Sequence, residues 1–158
     1  MKTYVILHNI RSAHNVGSIF RTSDGAGVSK IYVSGYTPAP HDRFGRENQE
    51  MLKTSLGATA MVPYESVNNI HDLVLRLKHE GVEVVAVEQT KSALSYTESI
   101  HAKDTAFIFG NEITGIEEQV LAYADSHIHI PMHGSKESLN VSVCVGIILF
   151  ANRVRNEK

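Results

Sequence analysis

The feature that most narrows the fold of this chain is a recurring strand-length run rich in β-branched residues, each followed by a stretch of different period. Thr3 to Leu7 (TYVIL), Lys30 to Ser34 (KIYVS), Val82 to Val87 (VEVVAV), Thr105 to Phe109 (TAFIF) and Ser126 to Ile130 (SHIHI) are all short. Between them apolar residues recur at helical spacing, as in Val16, Ile19 and Phe20, and again in Ile70, Leu73, Val74 and Leu77. Parallel strands need long crossovers, usually helices, and an unbroken apolar run such as TAFIF suits a strand covered on both sides. The pattern predicts an α/β fold: a mostly parallel sheet covered by helices on both faces. In such sheets ligands bind beyond the carboxyl ends of the strands.

The punctuation between elements sharpens this. A helix from about Val16, with Asn15 placed to cap it, stops at Gly25 and Gly27. Prolines at 38 and 40 keep the loop after Ser34 irregular until about Glu47. A short helix and a turn at Gly57 then lead to a brief strand near Met61. Asn68 or Asn69 caps the next helix and Gly81 ends it. Glu117 and Glu118 suit the positive end of a helix reaching about Tyr123. The closing helix, about Ser138 to Arg155, is apolar almost all round, which predicts burial against the sheet on one side and a second subunit on the other.

With 158 residues, no repeat and no linker-like stretch, the expectation is one domain over 1–158, beginning directly with the first strand and without an N-terminal RNA-binding extension. The single cysteine, Cys144, excludes an internal disulfide and reads as a buried thiol. No segment approaches the ~18 apolar residues of a membrane span, so a cytoplasmic location is expected. A net charge of −2 and a pI near 6.5 are not those of a protein that coats nucleic acid. A local patch, formed across two subunits, can still bind RNA. The cations at 43, 46 and 53 form either such a patch or a solvated loop.

Three polar, glycine-marked segments follow predicted strands, which sends all three to one sheet edge. In the first, Gly17 and Arg21 lie four apart on a helix, where the guanidinium either faces a phosphate or electron-rich oxygen or is simply solvated. In the second, FIFGNEITGI, Gly110 follows a buried strand, Glu112 puts a carboxylate at its tip and Gly115 permits a tight turn. A turn glycine and a solvated glutamate are the plainer alternative. The third, from Ile130, sets Ser138, Asn140 and Ser142 at the mouth of the apolar closing helix. Buried there, they need partners, which a ligand or a catalytic loop would supply; Ser138 as an ordinary helix cap is the alternative. No phosphate-cradling P-loop and no GxGxxG is present. His127, His129 and His133 fall short of a zinc pattern, and no metal is expected.

At these segments the chain resembles the SpoU/TrmH branch of the SPOUT methyltransferases. Asn15, Gly17 and Arg21 match the first motif, Gly110, Asn111, Glu112 and Gly115 the second. Ile130, Pro131, Met132, Gly134, Ser138, Leu139, Asn140 and Ser142 match the third. The resemblance implies a C-terminal trefoil knot, a homodimer and S-adenosylmethionine as cofactor, with S-adenosylhomocysteine as product. It implies methyl transfer to a ribose 2′-hydroxyl of RNA, tRNA ahead of rRNA, with Arg21, Asn15, Glu112, Ser138 and Asn140 as the catalytic set. The cofactor contacts it implies are Glu88, Gln89, Thr90, Phe109, Gly110, Asn111, Gly115, Ile130, Pro131, Met132, Leu139 and Ser142. RNA recognition then falls to this domain, across the dimer, or to an accessory RNA-binding partner. A non-catalytic nucleotide- or RNA-binding module of the same fold is the alternative, supported by the acidic pI. A flavodoxin-like nucleotide-binding enzyme is a further one, with no role for SLNVS.

Overall fold

The computed structural model describes residues 1–99 and 101–156. In chain order the elements are β1 (Thr3–His8), α1 (Ala13–Gly25), β2 (Lys30–Ser34), α2 (Gln49–Ser55), α3 (Ala58–Met61), β3 (Tyr64–Val67) and α4 (Ile70–His79). They continue as β4 (Glu83–Val87), β5 (Leu94–Ser95), β6 (Thr105–Phe109), α5 (Glu118–Leu121), β7 (Ser126–His129) and α6 (Val141–Asn156). Among the described residues the strands form one sheet of seven, in the order β3-β2-β1-β6-β4-β7-β5. Every pairing is parallel.

The two-residue period of a strand explains how one sheet builds two cores. Val5 and Leu7, Val85 and Val87, and Phe107 and Phe109 point to the face covered by α1, α2 and α6. Their neighbours Ile6, Val84, Ala86, Ala106 and Ile108 point to the face covered by α4 and α5. All five residues of β6 are buried, as a central parallel strand requires.

The chain runs outward from β1 to β3, then crosses to the other side of β1, with β6 inserted between β1 and β4. The order therefore reverses between β1 and β6. Loops leaving those two strands diverge there and open a crevice at the carboxyl ends.

Several boundaries differ from the sequence reading. The segment near Met61 is the helix α3, and the strand follows at Tyr64–Val67, because the αL turn at Leu56 and Gly57 restarts a helix. Ser12, not Asn15, caps α1, accepting from the Asn15 N–H, and the helix starts three residues earlier than expected. The short β5 went unread because two residues carry no periodicity. Helix α6 begins at Val141, not Ser138, and on it Val143, Phe150 and Val154 are about half exposed in the single chain.

Candidate active site

The crevice is organised by Glu112. The turn that carries it is closed by reciprocal backbone bonds between Asn111 and Gly115, at 3.1 and 3.0 Å. Gly115 has φ 70°, a left-handed conformation that favours glycine. Space decides the identity of residue 110, since a Cβ there would lie 2.6 Å from the Gly115 carbonyl group. Two side chains brace the turn. The Asn111 amide donates to the Asn9 carbonyl and the Tyr36 hydroxyl, both at 2.9 Å, and Glu88 accepts from the Ile116 N–H at 3.0 Å.

Held this way, the Glu112 carboxylate reaches the loop leaving β1. It accepts from the N–H of Arg11 at 3.0 Å, the N–H of Ser12 at 3.2 Å and the Asn15 amide at 3.2 Å. Partial burial alone pushes this carboxyl up. The N–H of Arg11, the residue's own N–H, the Asn15 amide and the N–H of Ser12 together outweigh it and hold it below the ordinary glutamate range. The group is an anion that anchors the N-terminus of α1, in accord with the positive end of the helix.

The third segment joins the same cluster. The Asn140 amide donates to Asn15 Oδ1 at 3.2 Å, while Asn140 Oδ1 accepts from the N–H and hydroxyl of Ser142 at 2.9 and 2.7 Å. Ser142, Asn140, Asn15 and Glu112 thus form one chain of hydrogen bonds across three loops. Each asparagine nitrogen keeps a second N–H not used in this chain.

Beside this chain lie two adjoining hollows of about 110 and 220 Å³ that share Val87, Glu88, Ser138, Leu139 and Cys144. The smaller adds Gln89, His129, Ile130 and Met132. The larger adds Phe109, Gly110, Asn111, Glu112 and Gly115, among others. Gln89 ties the loop after β7 over the cleft, its amide donating to the Glu137 carbonyl at 2.7 Å. Burial, and then the nearby charge of Glu88, pushes the Cys144 thiol up to about 12, so it stays protonated and unreactive at neutral pH.

Not every expected residue is gathered here. Ser138 lies on the rim shared by the hollows, exposed and without a cap role; it and Asn140 are not the buried polar groups expected. Thr90 turns its hydroxyl to His127 Nδ1 at 3.0 Å and lines neither hollow. Pro131 lines only an outer depression with Gln89 and Met132. Ser142 lines neither hollow and acts by orienting Asn140. The space over Gly17 is filled by α2: a Cβ there would lie 2.4 Å from the Met51 carbonyl oxygen and 2.2 Å from Thr54 Oγ1.

Arg21 is exposed and, among the described residues, has no hydrogen-bond or ion-pair partner. Six residues along a helix turn its direction by about 120° from that of Asn15. Within one protomer it therefore does not join the cluster.

Sequence reasoning missed several contributors. Ser12 was legible as a serine three residues before Asn15. The braces from Asn9 and Tyr36, and the His8 ring set between Ser34 Oγ and Glu117 Oε2 at 2.8 Å each, carry no motif; only folding brings them together.

A parallel α/β sheet with a polar triad and an apolar-walled cleft at its switch point defines a protein that binds a ligand across the ends of several strands. The relatives give that class a particular identity. A model of the SpoU rRNA methylase family matches residues 2–150, and the chain belongs to that family. It is 34% identical to a tRNA (guanosine(18)-2′-O)-methyltransferase of Aquifex aeolicus over 98% of its own length and 70% of that protein. It is 31% identical to a 23S rRNA (guanosine-2′-O-)-methyltransferase of Neisseria meningitidis, of which it spans 60%. Among solved structures, an AdoMet-bound rRNA methyltransferase from Sinorhizobium meliloti superposes with a TM-score of 0.85 at 29% identity, covering 97% of this chain and 56% of that one.

Proposed function

We propose that this chain transfers the methyl group of S-adenosylmethionine to a ribose 2′-hydroxyl of RNA, with tRNA as substrate. The observation that carries the reading is the meeting of Asn15, Glu112 and Asn140 from three separate segments at the rim of one cleft. The names of the relatives support it: two of them methylate guanosine ribose, one in tRNA and one in 23S rRNA. The rRNA activity is the alternative substrate reading.

The residues present fit the cofactor. Val87, Phe109, Ile130 and Leu139 offer apolar walls. Among the described residues, the backbone groups of Met132 and Leu139 have no hydrogen-bond partner, which leaves them to hold a polar ligand. When bound, S-adenosylmethionine supplies an electrophilic methyl group. The protein's task is then to hold the ribose hydroxyl in line and favour charge on its oxygen. The spare N–H groups of Asn15 and Asn140 are donors of fixed direction for ribose or phosphate oxygens. Glu112, held as an anion of lowered pKa, is a poor base and serves to fix Asn15.

The Arg21 guanidinium orients the nucleophile and stabilises the developing oxyanion, with a neighbouring phosphate or other group taking the proton. Because Arg21 stands apart from the cluster of its own protomer, it serves the cleft of a second copy. Val143, Phe150 and Val154 lie along one side of α6, and their exposure supports a homodimer built on that helix. The knotted C-terminal threading of the family belongs to the same reading. The residues of the chain act as one catalytic domain, in the cytoplasm, with accessory RNA-binding contacts from a partner where the dimer does not suffice.

Calorimetry with S-adenosylmethionine beside a radiolabelled-methyl assay on unfractionated tRNA and rRNA tests the reading. The wild type is expected to transfer methyl to tRNA. Arg21→Ala is expected to lower transfer by at least about a hundredfold while cofactor affinity stays within about twofold. Absence of transfer from the wild type to either RNA overturns the proposal.

A further inference from the structure

The loop between β2 and α2 presents a group that the cleft does not use. Residues 42–46 form a closed turn, with the Asp42 N–H donating to the Arg46 carbonyl at 2.9 Å and the Gly45 N–H to the Asp42 carbonyl at 3.0 Å. The Asp42 carboxylate accepts from the N–H groups of Phe44 and Arg46 at 2.8 and 3.0 Å, and from Arg46 Nε at 2.8 Å. Gly45 takes φ 78° at the tip. The base is also fixed: His41 pairs with Glu47 across the turn and stacks on Tyr64, with its Nδ1 3.1 Å from the tyrosine hydroxyl.

On this ordered support Phe44 is 67% exposed. The guanidinium carbons of Arg43 and Arg46 lie 4.7 and 5.2 Å from its ring centre. The third expected cation, Lys53, stands on α2 rather than on the turn, paired with Glu50 at 2.6 Å, and does not belong to the group. Glu47 and Asp42 offset the two arginines in formal charge, but the Asp42 carboxylate is turned into the turn's own N–H groups. An ordered turn that holds a largely exposed aromatic ring beside two guanidinium groups matches a nucleic-acid strand: the open part of the ring stacks on an unpaired base and the guanidiniums meet adjacent phosphates. The turn leaves the carboxyl end of β2, the edge that bears the cleft, and α2 behind it touches the first turn of α1, which carries Asn15, through Glu50 and His14, 2.6 Å apart.

We propose that the turn formed by Arg43, Phe44 and Arg46 is a contact site for the RNA substrate, taking an unpaired nucleotide other than the one that is methylated. The proposal rests on the chain's being an RNA methyltransferase. It separates recognition, at the turn, from chemistry, at the Asn15–Glu112–Asn140 cluster.

The test uses the full chain and unfractionated tRNA, with affinity read by fluorescence anisotropy. Phe44→Ala is expected to weaken binding by about tenfold and to raise KM with kcat little changed. Phe44→Tyr, which keeps the ring, restores binding. Arg43→Gln is expected to lower the slope of log affinity against log salt by about one. Cofactor binding and thermal melting should stay at wild-type values, since Phe44 supports no core. Equal tRNA affinity in wild type and Phe44→Ala, or no affinity in the wild type, overturns the proposal. So does loss of affinity that follows a change in sedimentation, which makes the turn a protein contact. Phe44-dependent tRNA binding without methyl transfer supports the turn and removes the catalytic reading, whereas transfer that ignores Phe44 does the reverse.

Discussion

Glu112 shows how little of a residue's role lies in its type. From sequence it was a carboxylate at a strand tip, equally fit for chemistry or for solvent. In the fold, three N–H donors from the opposite loop make it an anchor and lower its pKa. A group whose folded pKa is depressed contributes stability above its unfolded value, near 4.3, and loses that contribution as pH falls through the folded value. Urea melts of wild type and Glu112→Gln should therefore differ at pH 7 and at pH 5, and the gap should close below the ordinary glutamate range. A gap that widens in acid would mean that Glu112 is held protonated in the native state. Cys144, by contrast, reads from sequence as a buried thiol but is only partly buried, because it lines a cleft that has no signature in its neighbours VSV and VGI.

At the scale of elements, periodicity found what periodicity can find. The helix from Ile70, ended by Gly81, and the strand TAFIF stand where the sequence put them, since a long apolar stripe or a fully buried run leaves few alternatives. Helix ends were less legible, because Ser12 and Asn15 are both good caps and only the backbone path chooses between them. The seam between α1 and α2 was hidden too. Gly17 reads from sequence only as sharing a helix face with Arg21, and in the fold it admits the backbone of α2. Gly17→Ala should destabilise the protein by about 1 to 3 kcal/mol through overpacking, lowering the midpoint of thermal melting by several degrees. An unchanged melt would show that α2 can shift at no cost.

For the whole molecule, the unsolved part is Arg21, which no single protomer brings to the cleft. If α6 joins two copies, the wild type should sediment as a dimer in analytical ultracentrifugation and Phe150→Asp as a monomer without methyl transfer; a dimer that survives the change would exclude this face. Complementation is a sharper measurement. Arg21→Ala and Asn140→Ala subunits, each inactive alone, should regain about a quarter of wild-type activity when mixed, because only the hybrid dimer holds one intact site of two. No recovery in a mixture shown to exchange subunits would return Arg21 to its own protomer.

What the sequence determined alone is local and repetitive: the identities of the longer strands and helices, the parallel α/β class, the edge at which polar loops gather, and the three segments that mark the family. These follow from side-chain period and from the conformations that glycine, proline and capping residues permit, information carried within a dozen neighbouring residues. Tertiary structure decided the rest. It set β6 between β1 and β4, and so brought Glu112 against Arg11 and Ser12, and Asn140 against Asn15, across about a hundred residues of chain. It also left Arg21 outward and raised Phe44 on an ordered turn. Such pairings depend on strand order and crossover path, which many chains with the same local pattern could satisfy differently, so no single stretch of residues encodes them.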